Sequence, residues 1–339
     1  MMPEPRYERL LDIAERLVGA PVHSLEPVSG GRNSRVYHIR SVRGDFALKQ
    51  YPDRADDIRD RLGTELRALT LMAGRGIETV PRAVGADIEQ GFALLSWLDG
   101  APPGVIGVAD IDQAAGFLAQ IHALRGDAGA VEIRPASEAC LSGHEIQRQI
   151  EQRVERLRRV PVGEAPLQRF LEGPFATLAE RLVAGARAVS DFDATLAPER
   201  RSLVPADFGF HNSLRRPNGT LVFLDFEYFG WDDPAKLTAD VMLHPGTSVA
   251  APLVSRFRHA AEACYGADPA FPRRLAVFLP LFGLRWVLIL LNEFLQDRWR
   301  HRVAAGAVES WEVAKERQLA RAQFLLATLE VRYGDIYRR

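Results

Sequence analysis

Apolar residues change their spacing along the chain, and the changes outline its architecture. Residues 7–18 carry them every three or four positions, which predicts a helix. Short runs rich in β-branched and aromatic residues come next and predict strands. These predicted strands are residues 22–28, 35–40, 46–51, 80–87 and 92–97, with one helix, about 55–73, among them. Beyond Gly100 helical spacing dominates, except for a short strand pair around 213–225.

This separation of strands from helices predicts an α+β protein with two lobes rather than a doubly wound sheet. We expect a strand-rich lobe of residues 1–97 and a helix-rich lobe of residues 98–339, with a hinge at Leu98-Asp99-Gly100. The most apolar stretch, 275–291, is interrupted by Pro280 and Arg285. It falls short of the ~18 uninterrupted apolar residues of a membrane span, so we interpret it as a buried helix.

Composition narrows the possible functions. The 339 residues are 47% hydrophobic and 26% charged, as in folded soluble proteins. With 43 basic and 44 acidic residues, the net charge of -1 lacks the excess that nucleic acid or anionic membranes attract, so neither is expected as a partner. Cys140 and Cys264 are too few for a disulfide framework, and the first residues resemble no secretory signal. A cytoplasmic location is therefore expected, while the oligomeric state is not indicated.

A glycine-rich segment between two predicted strands is the first candidate for chemistry. It contains Ser29, Gly30, Gly31, Asn33 and Ser34. Glycines allow backbone N–H groups to approach a phosphate closely. An ordinary hairpin turn has the same composition, so this segment alone does not define a site.

A lysine and a glutamate follow at positions that suit a nucleotide site. Lys49 ends Ala-Leu-Lys on the next strand and could hold nucleotide phosphates. Glu65 shares the inward stripe of its predicted helix with Leu62 and Leu69. An unpaired inward carboxylate is expensive to bury, and Lys49 would be a suitable partner.

The most specific segment is Asp207-Phe208-Gly209-Phe210-His211-Asn212, followed by Asp225-Phe226-Glu227. Asn218-Gly219 between them predicts a two-residue hairpin turn. Counting back from that turn places Asn212 directly opposite Asp225, within about 5.5 Å between Cβ atoms. One metal ion could then be held by both, with Asp207 nearby.

In order and spacing, these pieces from residue 22 to 245 resemble the aminoglycoside phosphotransferase and choline kinase family of small-molecule kinases. The resemblance implies a protein-kinase-like fold, with a small antiparallel sheet in a nucleotide-binding N-terminal lobe. It also implies that Lys49 pairs with Glu65 and holds ATP phosphates, and that the backbone of Ser96 to Leu98 meets the adenine. Asp207 would accept or orient the acceptor hydroxyl, and Asn212 and Asp225 would bind Mg²⁺. GTP in place of ATP is not distinguished.

One departure motivates an alternative. Pro205 stands where the family usually has a His, two residues before the catalytic Asp. A nucleotide-binding regulatory pseudokinase is therefore the second hypothesis. We interpret His211, beside Asn212, as a packing or capping residue.

The acceptor is harder to predict. A helix predicted over 281–298 would carry Arg285, Asn292 and Glu293 on one face, and these could contact an acceptor or form internal ion pairs. Aromatic walls for a quaternary ammonium group could come from Tyr228, Phe229, Trp231 and Trp286. Residues 137–175 show no acidic bias for a polycation. We rank a sugar or polyol first, choline or another amino alcohol second and an aminoglycoside third.

Overall fold

The computed structural model describes residues 4–28, 34–52, 59–160, 164–245, 249–304 and 309–337. The chain divides by its contacts into two compact units. The first is Met1–Ser137 with Leu203–Gly230, and the second is Glu138–Ser202 with Trp231–Arg339. These units are defined by the density of contacts within each of them. The lobes predicted from sequence, 1–97 and 98–339, divide the chain at a different place and stay a prediction.

The first unit contains a five-stranded antiparallel sheet in the order β1-β2-β3-β5-β4. Its strands are β1 (Val22–Val28), β2 (Arg35–Ser41), β3 (Gly44–Gln50), β4 (Ala83–Asp87) and β5 (Phe92–Ser96). Each predicted strand is present. The central strands bury Ile39, Leu48 and Leu94.

Two helices accompany this sheet. Helix α1 (Glu4–Val18) contributes Leu10, Ile13 and Ala14 to the core cluster that contains Ile39 and Leu94. Helix α2 (Arg61–Gly74) begins where the Asp60 carboxylate accepts the Gly63 N–H at 3.2 Å. The Asp60 cap explains why residues 59 and 60 are not helical, whereas the sequence predicted a helix from about residue 55. Residues 55–58 lie outside the described residues.

The chain returns to the first unit through β6 (Ser202–Val204) and forms an antiparallel hairpin of β7 (Ser213–Arg215) and β8 (Leu221–Phe223). This confirms the predicted strand pair. Helix α3 (Val108–Ala123) packs on the hairpin, with the Phe117 ring stacked on Phe223 at 4.4 Å between centroids. Strand β9 (Gly230–Asp232) then leads out of the unit.

The predicted hairpin register is wrong by one residue. Ser213 pairs with Phe223, and the Arg216 N–H donates to the Thr220 carbonyl at 2.9 Å. The loop therefore has three residues, 217–219, and Gly219 takes the left-handed φ of 86° that such a loop requires. In this register Asn212 faces Leu224 and not Asp225, and the Leu224 N–H donates to the Asn212 carbonyl at 2.9 Å.

The second unit is built from helices. These are α4 (Gly143–Arg158), α5 (Ala165–Phe170), α6 (Ala176–Val189), α7 (Pro234–Leu243), α8 (Ala251–Cys264), α9 (Phe271–Leu290), α10 (Gln296–Ala304) and α11 (Trp311–Tyr333). In the described residues, Phe271–Phe294 is long and apolar enough to cross a membrane, but 78% of its most apolar window is buried. The prediction of a buried core helix agrees with this burial.

The helix predicted over 281–298 is not continuous. Helix α9 ends at Leu290, a 3₁₀ turn covers Leu291–Phe294, and α10 starts at Gln296. Seven- and eight-residue spacings share a face only in an unbroken α-helix. The predicted continuous helix is therefore wrong, and the common face of Arg285, Asn292 and Glu293 stays a prediction.

Candidate active site

Lys49 lies at the centre of a cluster of carboxylates in the first unit. Its side chain is buried within β3, and Nζ donates to Glu65 Oε2 at 2.6 Å and to Asp225 Oδ1 at 2.8 Å. Glu227 Oε2 lies 3.3 Å from the same nitrogen. The pair expected between Lys49 and Glu65 is present, and two further acidic residues join it.

Glu65 is held on both of its oxygens. Only 1% exposed, it also accepts the Tyr51 hydroxyl at Oε2, at 2.6 Å. Its Oε1 accepts the Phe226 N–H at 3.2 Å. The carboxylate thus links β3 to α2 and to the backbone beside Asp225, and its buried charge is well solvated by donors.

The cluster carries an excess of negative charge. Lys49 and Arg61 supply two positive charges against the carboxylates of Glu65, Asp225 and Glu227. Burial raises the pKa of Asp225 to about 7; the neighbouring Glu227 and Glu65 add to this rise, and Lys49 opposes it. Burial alone would lower the Lys49 pKa, but the carboxylates outweigh it and raise that pKa well above its ordinary value.

Glu227 connects this cluster to two other parts of the unit. Its Oε1 accepts from Arg61 at 2.5 Å, and its Oε2 accepts the Ser34 hydroxyl at 2.8 Å. Although burial favours its protonated form, Lys49 and Arg61 hold its pKa below the ordinary value. Glu227 is therefore an anion that fixes the start of β2 against α2.

Only the last residue of the glycine-rich segment, Ser34, is among the described residues. Ser29, Gly30, Gly31 and Asn33 lie outside the described residues. Ser34, which follows them, is buried, and its hydroxyl is bonded to Glu227. The end of this segment therefore lies beside the lysine cluster.

Asp207 and Asn212 are held in one compact turn. The Asn212 side-chain amide donates to the Asp207 carbonyl at 2.8 Å. His211 Nε2 lies 3.2 Å from Asp207 Oδ1, so His211 contacts the candidate base directly. We interpreted His211 from the sequence as a packing or capping residue and did not predict this contact with Asp207.

Two residues of this region have backbones that non-glycine residues rarely adopt. Ala206, just before Asp207, has φ of 65°, and Asp225 has φ of 68°. Such conformations persist where surrounding structure imposes them, and they gather at functional sites. Ala206 directly precedes Asp207, the predicted catalytic residue, and Asp225 is itself a predicted metal ligand.

The predicted adenine-binding segment follows β5. The Ser96 N–H donates to the Arg82 carbonyl at 2.9 Å, and the Trp97 N–H to the Asp45 carbonyl at 3.4 Å. The Ser96 hydroxyl also accepts the Arg82 N–H at 2.9 Å. Ser96 is therefore engaged within the sheet, and Leu98 is half-buried after it.

Arg285 lies in a buried ion-pair network of the second unit. Its guanidinium is 3.4 Å from Asp240 Oδ1 and 3.4 Å from Glu138 Oε2. Glu138 has φ of 57° and also contacts Arg153 at 2.5 Å. Arg285 thus has the contacts expected of the internal ion pair that we considered beside a substrate contact.

The other predicted acceptor residues also lie in the second unit. The Glu293 carboxylate is buried and bonded to Arg302, while its carbonyl accepts Trp311 Nε1 at 2.6 Å. Asn292 is half-buried in the 3₁₀ turn, and Trp231 is half-buried in β9. Arg285 pairs with Glu138 and Asp240, whereas Glu293 pairs with Arg302, so these ion pairs do not join the two residues.

Sequence reasoning missed three residues around Lys49. Arg61 lies four positions before Glu65 on the same helix face, so helical spacing could have identified it. Glu227 is part of the Asp-Phe-Glu motif, but the sequence did not predict whether a strand or a loop follows Asp225, and therefore did not predict where the Glu227 carboxylate lies. Tyr51 gave no signal, because a tyrosine at a strand end is common in any core.

Residues 24–275 match the model of the phosphotransferase enzyme family. No curated protein sequence matched the chain. Among solved structures, choline kinase LicA from Streptococcus pneumoniae is similar with a TM-score of 0.61 and 15% identity, covering 95% of this chain and 99% of that one.

Two antibiotic-modifying enzymes are similar to a comparable degree. Macrolide 2'-phosphotransferase MphH from Brachybacterium faecium has a TM-score of 0.57 and 19% identity, over 89% of this chain and 99% of that one. Spectinomycin phosphotransferase APH(9)-Ia, in complex with ADP and spectinomycin, has a TM-score of 0.59 and 13% identity, over 95% of this chain and 98% of that one. These likenesses confirm the predicted two-lobed, protein-kinase-like α+β fold.

The family model spans well over half of the chain, including β2, β3, α2 and the Asp207–Asp225 region. It therefore covers every residue of the lysine cluster. The predicted resemblance is confirmed: the chain belongs to the phosphotransferase enzyme family and is a phosphotransferase.

Proposed function

We propose that this phosphotransferase moves the γ-phosphoryl group of ATP, in the presence of Mg²⁺, to a hydroxyl group of a small molecule. The observation that carries the proposal is the position of Lys49 Nζ, 2.6 Å from Glu65 and 2.8 Å from Asp225. A lysine held between a helix carboxylate and a metal-binding carboxylate is the arrangement that positions nucleotide phosphates in kinase-like enzymes. Similar structures carry nucleotides: LicA was solved with AMP and APH(9)-Ia with ADP.

Asp225 is the carboxylate of this cluster that suits a divalent cation, because both oxygens of Glu65 and of Glu227 already accept hydrogen bonds from protein groups. Oxygens of Glu65, Asp225 and Glu227 lie within 4.8 Å of one another. Mg²⁺ prefers oxygen ligands and is usually held by one or two carboxylates together with phosphates. The carboxylates around Lys49 outnumber the cationic side chains, and this excess of negative charge also favours a bound cation.

In this proposal Asp225 and Asn212 would hold Mg²⁺; Asn212 is retained from the family resemblance, since the observed register places it opposite Leu224 and not opposite Asp225. When bound, Mg²⁺ supplies positive charge that neutralises the phosphate oxygens during transfer. Lys49 binds the α and β phosphates, and Glu65 keeps its ammonium group in place. Of the segment after β5, the Leu98 backbone is the candidate for the adenine, because the Ser96 and Trp97 N–H groups already donate within the unit. The glycine-rich residues Ser29, Gly30, Gly31, Asn33 and Ser34 would complete the phosphate site.

Asp207 is the proposed residue that receives the acceptor. Its carboxylate would orient the acceptor hydroxyl and take its proton as the phosphoryl group transfers. The contact with His211 at 3.2 Å holds one carboxylate oxygen, and the Asn212 amide holds the Asp207 backbone. Neither step needs a covalent intermediate, since positioning and charge neutralisation suffice.

For the acceptor we propose a sugar or polyol, then an amino alcohol, then an aminoglycoside. The contacts of Tyr228 support this order over a choline-first reading. Arg59 and Arg61 lie over the Tyr228 ring, at 5.2 and 5.0 Å from its centroid. A ring that already faces two guanidinium groups is a poor wall for a quaternary ammonium group.

Turnover with a panel of acceptors tests the proposal. We expect Mg²⁺-dependent ADP release with at least one sugar, polyol or amino alcohol, and a fall of 100-fold or more in kcat for Asp207→Asn. Asp193→Asn is the matched control, since Asp193 is exposed and bonded to Arg187. Its turnover should equal that of the wild type.

The same assay distinguishes the proposed phosphotransferase from the rival function, a regulatory pseudokinase. A regulatory pseudokinase, suggested by Pro205, would bind ATP without transferring phosphate. If ATP binds tightly but Asp207→Asn changes no phosphate transfer across the panel, the enzyme proposal fails in favour of that rival. The expected cytoplasmic location accompanies the enzyme proposal: Cys140 is a buried thiol whose pKa burial raises to about 12, and neither Cys140 nor Cys264 forms a disulfide among the described residues.

A further inference from the structure

A cavity of about 160 Å³ lies within the first unit, next to the lysine cluster. Three segments form its wall: the start of α2, residues 133–137, and the residues that follow Asp225. Its polar lining includes Arg59, Thr64, Arg67, Arg134, Ser137 and Tyr228. Glu227 also lines it and contacts Lys49, so the cavity adjoins the proposed site without being lined by Lys49 itself.

The wall of this cavity carries more positive than negative groups. Three arginines line it, against the carboxylates of Asp60 and Glu227. Asp60 already accepts from Arg67 at 3.0 Å and caps α2. Glu227 already accepts from Arg61 and Ser34. Among the described residues Arg134 has no ion-pair partner, so its charge remains available to the cavity.

The cationic side of the cavity is also built to keep its shape. The guanidinium groups of Arg59 and Arg61 lie over the Tyr228 ring, an attractive arrangement that restrains both. The Ser137 N–H donates to the Tyr228 carbonyl at 3.1 Å. At Gly230 a Cβ would collide with the backbone of Arg134 and Ala136, so that segment lies directly against the chain after Tyr228.

From this cavity we infer a second anion site that binds a tetrahedral oxyanion, either free phosphate or the phosphate group of a phosphate monoester. Arginine suits this ligand because its planar donors match phosphate oxygens two at a time. The hydroxyls of Thr64 and Ser137 add neutral donors. Lys49 is not in the cavity lining, and the inference does not depend on the proposed function.

Calorimetric titration with inorganic phosphate, at ionic strength held constant with chloride, tests the inference. We expect one saturable site in the wild type and a rise of tenfold or more in Kd for the double variant Arg67→Gln with Arg134→Gln. The matched control is Arg82→Gln with Arg159→Gln, since these guanidinium groups are 70% and 76% exposed and lie outside the cavity lining. This control should stay within twofold of the wild type.

Further arms keep the result interpretable. Arg134→Gln alone removes an exposed side chain without an ion pair among the described residues, so it should fold normally and still weaken phosphate several-fold. Titration with glycerol 3-phosphate distinguishes the two sources: binding as tight as phosphate indicates a monoester site, and binding of phosphate alone a closed phosphate site. The inference is overturned if the wild type binds neither. It is overturned equally if Lys49→Ala abolishes phosphate binding while the arginine variants keep wild-type affinity, because phosphate then occupies the nucleotide site.

Discussion

Glu65 illustrates how single residues build the lysine cluster. Its carboxylate accepts from Lys49, from the Tyr51 hydroxyl and from the Phe226 N–H. A buried carboxylate with fewer donors would raise the energy of the folded state. Tyr51 is therefore a positioning residue for Lys49, acting through Glu65.

Removing the Tyr51 hydroxyl should measurably destabilise the protein. In Tyr51→Phe the ring remains, with Lys49 Nζ 4.9 Å from its centroid, but a bond to a charged acceptor is lost. We expect the free energy of unfolding in urea to fall by about 2 kcal/mol. Tyr7→Phe, at a position 37% exposed, is the control and should change it by less than ~0.5 kcal/mol. Equal stability of Tyr51→Phe and the wild type would contradict the role of this hydroxyl.

Asp225 should make stability depend on pH near neutrality. Its pKa is about 7 in the folded protein, above its ordinary value of 3.8, so the folded state binds a proton that the unfolded state releases. The stability that this proton supplies is complete below the unfolded pKa and is lost as pH rises through the folded pKa. Between pH 5 and pH 7 we expect a loss of about 2 kcal/mol from this group, without nucleotide or metal.

Asp225→Asn isolates that contribution, since the amide cannot titrate. Urea unfolding of both proteins at pH 5 and pH 7 gives the difference in stability between them. As pH rises from 5 to 7, the wild type should lose unfolding free energy relative to Asp225→Asn. A difference that stays constant, or that moves in favour of the wild type, would show that Asp225 does not hold its proton to neutral pH.

At the scale of elements, the segment after β5 is fastened to the hairpin that follows the Asp207–Asn212 turn. Ala101 and Arg215 exchange backbone hydrogen bonds of 3.1 and 2.7 Å. Gly100 precedes this contact with φ of 155°, and a Cβ there would lie 3.0 Å from the Arg215 carbonyl oxygen. The predicted hinge at Leu98-Asp99-Gly100 is therefore bonded, within the first unit, to the strand that starts next to Asn212.

Gly100→Ala should break this close approach. Backbone atoms of Arg215 cannot move aside easily, and the φ is unfavourable for alanine, so we expect a loss of about 2 kcal/mol or more in unfolding free energy. Gly104→Ala is the matched control, because a Cβ there meets nothing within 4 Å. If both variants unfold at the same urea concentration, Gly100 is not required by the hairpin.

The elements also show what sequence could and could not predict. The pair of Lys49 and Glu65 was predicted correctly, because helix periodicity placed Glu65 on the inward face, where its carboxylate needs a partner, and the family resemblance supplied Lys49. The register of β7 and β8 was missed, because two- and three-residue loops both suit Pro217-Asn218-Gly219 and differ by one residue in pairing.

Across the whole molecule, the order of motifs was enough to identify the fold and the family. It could not decide between substrate contacts and internal ion pairs, because Arg285 and Glu293 have the same charge in either role. Contacts that depend on distant segments, such as Arg61 with Glu227, 166 residues apart, were likewise beyond prediction. In the same way, no residue near Tyr228 in the sequence indicates the two arginines over its ring.

The central claim, a nucleotide and metal site at Lys49 and Asp225, is tested most directly by thermal unfolding with ATP, with and without Mg²⁺. Ligand at about 100 times its Kd stabilises by roughly 2.7 kcal/mol, which raises Tm by several degrees. We expect Mg²⁺ to increase the ATP-induced shift in the wild type and in the control Asp193→Ala, but not in Asp225→Ala. No shift with saturating ATP, or an equal effect of Mg²⁺ in Asp225→Ala, would contradict the account.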